Sequence, residues 1–253
     1  MIELTAADGH HLSAYRVEPQ GMPKGAVVVI QDILGVNAHV RKVTETFAAN
    51  GYVAIAPALF DRLQKDVELG YGEADVVTGT EFMKQANAEA SLADIQSAVD
   101  AVSGAGKVAV VGYSWGGYLA YQAGNRVSGL ACAVGYYGGG IADDWRGKRR
   151  IPTLLHFGSR DEEIPIDLVM QFRANRPDVS VFDYAAGHDF NCDERPTFNA
   201  DAARLALERT LFWTAQYVEG LPPATLKNAG AYAQSKTEKK KKLAGDDMVG
   251  PPP

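Results

Sequence analysis

An apolar run, KVAVV at 107–111, leads without a break into Gly112-Tyr113-Ser114-Trp115-Gly116-Gly117, and the chain continues as YLAYQAGN, a stretch that reads as helix. No other feature of the sequence narrows the fold as far. A strand that turns into a helix within a residue or two leaves no room for side chains beside the turn. Glycines at 112 and 116 therefore let strand and helix approach while the residue between them is thrust outward. Such a turn belongs to α/β architectures, and the rest of the chain supplies matching elements.

The runs AVVVIQD (26–32), YVAIAP (52–57), KVAVVGY (107–113), GLACAVGYY (129–137), TLLHFG (153–158) and VSVFDY (179–184) are almost continuously apolar. Central strands of a largely parallel sheet look like this when helices cover both faces. Helices are expected between them. VRKVTETFAANG (40–51) has Val40, Val43 and Phe47 at helical spacing and stops at Asn50-Gly51. SLADIQSAVDAV (91–102) puts Leu92, Ile95, Val99 and Val102 on one face, with Ser91 and Asp94 as a capping pair. The stretch 199–220 opens at Asn199 and offers Leu207, Leu211, Phe212, Ala215 and Val218 as an inner stripe. The expected fold class is α/β, a mostly parallel central sheet with helices on both faces, formed by one domain over residues 1–220. From 221 to 253 the lysine run and terminal prolines offer little to bury, and a mobile or loosely docked tail is expected.

At 253 residues and 46% hydrophobic, the chain can bury one sizeable core. Its formal charge of -6 provides no basic footprint for nucleic acid or anionic lipid, which points toward small-molecule chemistry. Cys132 and Cys192 stand far apart without metal-type spacing, so they read as free thiols. No apolar run approaches the roughly 18 residues that span a bilayer, and MIELTAADGHHL lacks the order of a signal peptide. A cytoplasmic protein without membrane or nucleic-acid partners is expected, with monomer and homodimer both open.

The outward residue of the turn, Ser114, is the candidate nucleophile. A hydroxyl is protonated at neutral pH, so it needs a base within hydrogen-bond reach and an acid that orients that base. Downstream, HFGSRDEEIP puts Asp161 just past one strand, and YAAGHDF puts His188 just past the next. Serine, acid and histidine thus fall at three strand ends in the order such folds use. Among the acids Glu162, Glu163, Asp183, Asp189 and Asp193 that compete, Glu162 is the nearest alternative to Asp161. His156, inside an apolar strand, reads as a core histidine. An attacked carbonyl gathers negative charge on oxygen, and the backbone N–H groups of Trp115 and of Ile33, in the loop after the first apolar strand, are the candidate donors.

QDILGVN (31–37), GYVAIAPALF (51–60), GYSWGG (112–117), VGYYGG (134–139), GSRDEEIP (158–165) and AGHDFNC (186–192) together resemble the dienelactone hydrolases, over about residues 2 to 218. The resemblance implies an α/β-hydrolase fold with an eight-stranded sheet, a small open pocket without a large lid domain, and no metal or organic cofactor. It also implies hydrolysis of small esters or lactones. Three departures bear on that activity. Serine occupies the position where the family has cysteine, as a natural residue or as a replacement. Asp32 stands where the family has a glutamate that meets the resting nucleophile; it either orients the serine or anchors its own loop. The arginines that hold a substrate carboxylate in the family are missing: residues 66–91 have only lysine as a cation, and Cys192 sits four places after His188, with Arg195 three further on. A neutral ester or lactone is therefore expected. Tyr136, Tyr137 and Phe190 are candidates to line the acyl pocket. A prolyl-oligopeptidase-like exopeptidase or amidase, and a ligand-binding homologue with impaired catalysis, stay open as alternatives.

Overall fold

The structure is a computed structural model that describes residues 1–221. Apart from residue 221, the expected tail lies outside the described residues. In chain order the elements are β1 (Ile2–Thr5), β2 (His11–Val17), β3 (Ala26–Ile30), α1 (Ala38–Ala49), β4 (Val53–Pro57), α2 (Glu73–Gln85), α3 (Ala88–Val102), β5 (Val108–Tyr113), α4 (Trp115–Arg126), β6 (Leu130–Tyr136), β7 (Thr153–Gly158), α5 (Ile166–Asn175), β8 (Ser180–Tyr184) and α6 (Ala200–Thr214). The strands form one eight-stranded sheet in the order β1-β2-β4-β3-β5-β6-β7-β8. The β1–β2 and β2–β4 pairs are antiparallel, and every other pair is parallel. This is the α/β fold expected, with helices on both faces.

Side-chain alternation along the strands divides the core in two. Val27, Val29, Ala109 and Val111 face Val40 and Phe47 of α1 and Ala206 and Trp213 of α6. Val28, Ile30, Val108 and Val110 face Leu92, Ile95 and Val99 of α3 and Leu119 and Ala123 of α4. Because both faces are covered, β3, β4 and β5 are buried at every position rather than at every second one.

Several details differ from the sequence reading. The helix expected over 91–102 begins at Ala88, capped by Asn87, whose side chain accepts from Ala90 N–H. Ser91 and Asp94 are therefore buried within the helix rather than capping it. Asp94, with no side-chain exposure, receives both prongs of Arg62 at 2.7 Å. The apolar stripe of α6 is also phased differently: Ala202, Ala206, Thr210 and Trp213 are buried, while Phe212 is 54% exposed. Small residues and Thr210 face inward because α6 lies close over the sheet, where Thr210 Oγ1 meets the Tyr136 hydroxyl at 2.7 Å and His156 Nε2 at 3.1 Å. His156 also meets the Tyr184 hydroxyl at 2.8 Å, and burial drives its pKa down to about 3, so it is a neutral core histidine. Among the described residues, no helix is long and apolar enough to cross a membrane.

Candidate active site

The turn from β5 into α4 is as tight as its glycines require. A Cβ on Gly112 would overlap the Gly116 carbonyl, and a Cβ on Gly116 would overlap the Gln31 carbonyl at the end of β3. Ser114 itself stands at φ 51° and ψ -117°, a left-handed backbone that a non-glycine residue adopts only when its surroundings enforce it. The enforcing contact is in view, since Ser114 N–H donates to the Tyr136 carbonyl at 3.0 Å.

His188 lies in the loop after β8, and its Nε2 is 3.1 Å from Ser114 Oγ. Its other nitrogen, Nδ1, is 2.7 Å from Oδ2 of Asp161, which follows β7. Asp161 is itself fixed, because its Oδ1 accepts the backbone N–H groups of Glu163 at 2.9 Å and Ile164 at 3.1 Å. A buried carboxylate held this way makes Nδ1 the protonated nitrogen of neutral His188 and leaves Nε2 to accept the serine proton. Glu162, the alternative acid, is exposed to solvent. Burial alone would depress the His188 pKa, but the hydrogen bond to Asp161 and the charges of Asp189, Asp161 and Glu163 outweigh it and raise the value above the usual 6.5.

The two expected donors, Trp115 and Ile33, follow paired strands, β5 and β3. The Trp115 N–H is the first amide of α4 and has no partner within the helix. The loop bearing Ile33 follows β3, whose Ile30 pairs with Gly112, so it runs directly beside the turn. Among the described residues, Ile33 N–H has no backbone partner. Asp32 does not hydrogen-bond to Ser114; its Oδ1 accepts Leu34 N–H at 2.7 Å, which ties the Ile33 turn together. Of the two roles left open for Asp32, the geometry displays the loop anchor. Its carboxyl is buried, and desolvation lifts its pKa to about 6 against the Leu34 hydrogen bond.

Two expectations need correction. Tyr136, Tyr137 and Phe190 are at most 1% exposed and so do not line an open pocket. Tyr136 stacks on Tyr113 with ring centroids 4.6 Å apart, and the Tyr137 ring lies 5.1 Å from the His188 ring and 5.2 Å from the Phe190 ring, so the three build the apolar floor under the imidazole. Tyr136, at the end of β6, points into the core under α6, where Thr210 Oγ1 meets its hydroxyl. The second correction concerns charge. Arg195 comes back to the site in spite of its longer spacing, since Cys192 N–H donates to Asp189 O at 2.8 Å and Arg195 N–H to Cys192 O at 3.0 Å. These two successive turns fold the loop on itself. Arg195 Nη2 then lies 3.3 Å from Asp189 Oδ2. Sequence reasoning weighed Asp189 only as a competing triad acid and missed Arg195 as a neighbour of the site; the turn formers Asn191, Asp193 and Pro196 were the available signal. No group of three or more His, Cys, Asp or Glu side chains among the described residues is arranged to hold a metal ion.

A model of the dienelactone hydrolase family matches residues 12–218. Carboxymethylenebutenolidase 1 of Cupriavidus pinatubonensis is 30% identical over 224 residues, which cover 83% of this chain and 94% of the relative. The carboxymethylenebutenolidase of Pseudomonas sp. strain P51 is 30% identical over 222 residues, covering 83% and 92%. Among solved structures, a Klebsiella pneumoniae protein described as a candidate dienelactone hydrolase aligns with a TM-score of 0.73 at 26% identity, over 85% of this chain and 98% of that one.

Proposed function

The chain belongs to the dienelactone hydrolase family, and from that premise we propose that it hydrolyses carboxylic esters or lactones of small substrates through an acyl-serine intermediate. The observation that carries this reading is His188 standing between Ser114 Oγ at 3.1 Å and Asp161 Oδ2 at 2.7 Å.

In the first half-reaction Ser114 Oγ forms a bond to the acyl carbon while its proton passes to His188 Nε2. The carbonyl π electrons move to oxygen, where the N–H groups of Trp115 and Ile33 receive the charge; each such donor is worth about 3 kcal/mol of barrier. Collapse of the tetrahedral adduct expels the alkoxide, which takes the proton from His188 and departs as alcohol. In a lactone that alcohol stays tethered to the acyl group. A water then gives its proton to the same nitrogen and attacks the acyl-serine, and the second collapse returns the proton to Ser114 and frees the acid. Asp161 keeps Nδ1 protonated and stabilises the imidazolium formed twice per cycle.

Fluorophosphonate labelling tests this directly. The folded protein should take up one equivalent at Ser114, and both Ser114→Ala and His188→Ala should lose labelling along with ester turnover. Stoichiometric labelling of Ser114→Ala, or ester turnover that survives it, would place the nucleophile elsewhere.

A further inference from the structure

Beside the serine–histidine pair lies an ionic pair that the hydrolytic cycle leaves unused. Asp189 follows His188 directly and stands at φ 55°, a region aspartate tolerates better than most residues. Its side chain is only 13% exposed and its two oxygens face in different directions. Oδ2 lies 3.3 Å from Arg195 Nη2, and Oδ1 lies 3.7 Å from His188 Nε2, the nitrogen that meets Ser114. A carboxylate of the chain itself therefore separates a guanidinium from the reacting atoms.

Arg195 is built in rather than loose at the surface. Its side chain is 17% exposed, its guanidinium lies over the Tyr71 ring at 5.2 Å from the centroid, and its Nε is buried without a hydrogen-bond partner. A planar guanidinium fork held beside a nucleophile has the chemistry to receive a carboxylate. Here the fork already faces one. A second carboxylate, that of Glu163, stands at the same site, with Oε2 3.8 Å from His188 Nε2.

We propose that Asp189 is an intramolecular occupant of the Arg195 anion position, and that it sets the site to accept uncharged acyl groups in preference to anionic ones. The proposal rests on the ester-hydrolase reading and adds a specificity determinant to it. The relatives' names describe a butenolide that carries a carboxymethylene group; on this proposal Asp189 supplies a carboxylate at the Arg195 fork instead.

The test compares two aryl esters of equal chain length, 4-nitrophenyl hexanoate and mono-4-nitrophenyl adipate, by kcat/KM. Wild type should favour hexanoate. Asp189→Ala should raise the adipate-to-hexanoate ratio at least tenfold, Asp189→Asn should raise it less, and Asp189→Ala combined with Arg195→Ala should return it to the value of Arg195→Ala alone. An unchanged ratio in Asp189→Ala overturns the proposal. A gain that persists without Arg195 overturns it too, because it reduces Asp189 to general charge repulsion. Calorimetric titration with adipate needs no turnover and no nucleophile: in a Ser114→Ala background, Asp189→Ala should bind at least tenfold more tightly, and equal affinity again refutes the assignment. If wild type cleaves neither ester while the titration behaves as expected, the fault lies with the hydrolase reading and not with Asp189. Asp189→Asn, nearly isosteric, serves where the alanine variant fails to fold.

Discussion

Replacing Asp32 by asparagine should stabilise the protein at neutral and alkaline pH and do nothing in acid. The Asp32 carboxyl is 6% exposed, and burial lifts its pKa from 3.8 to about 6. The native state thus holds the Asp32 proton more tightly than the unfolded chain does. Stability contributed by this group is complete below about pH 4, declines as pH rises through about 6, and is flat above about 7. A tenfold change in proton affinity corresponds to about 1.36 kcal/mol, so ionising Asp32 inside the fold costs roughly 3 kcal/mol. Asparagine keeps an oxygen to accept Leu34 N–H and removes the charge, so most of that amount, ~2–3 kcal/mol, should return. For a domain of this size the melting temperature should rise by about 5–10 °C. Thermal melts of both proteins between pH 3.5 and 8 measure the difference, and acid effects common to both cancel. An asparagine variant no more stable than wild type at pH 8, or a gap that stays constant across the range, would refute the reasoning.

Other expectations are as direct. Gly112→Ala drives a methyl group into the Gly116 carbonyl and should cost roughly 3 kcal/mol or more in urea unfolding; a loss under about 1 kcal/mol would mean that the turn can relax. Arg62→Ala strips the fully buried Asp94 carboxylate of its bidentate partner and should destabilise by about 3–5 kcal/mol at pH 7, with a smaller loss in acid, where Asp94 can take a proton. Ester turnover requires unprotonated His188, so activity should fall as pH drops through a value above 6.5, raised by Asp161, Asp189 and Glu163 against the effect of burial. Asp189→Asn should move that acid limb to lower pH, and an unmoved limb in kcat/KM profiles would count against the charge contribution.

What could be read in the chain was whatever both faces of the sheet impose. The strands from β3 to β8 show as apolar runs because most of their side chains are buried under helices, and the ends of β5, β7 and β8 then bring Ser114, Asp161 and His188 to one rim. Asp161 stands out among neighbouring acids through its place at the strand end, where the amides of Glu163 and Ile164 are free to hold it. Helix α2 was not legible: of its residues only Gly79 is buried, so it leaves little periodicity to detect. The phase of α6 was misread because hydrophobicity favours Phe212, whereas close packing against the sheet selects Ala206 and Thr210. Arg195 was misjudged by counting residues along a loop that folds back through two turns, which linear spacing cannot convey. The aromatic floor was mistaken for a wall because a strand-end position does not reveal which way a ring leans.

The order of the strands distributes stiffness unevenly across the machinery. Ser114 and Trp115 directly follow β5 and Ile33 follows its immediate neighbour β3, in the middle of the sheet, whereas His188 follows β8, which pairs on one side only. Amide exchange should accordingly be slowest around residues 108–113 and fastest in the loop past 188. Variation in that marginal loop can retune charge and selectivity in small steps, while the centre tolerates little short of an intact arrangement.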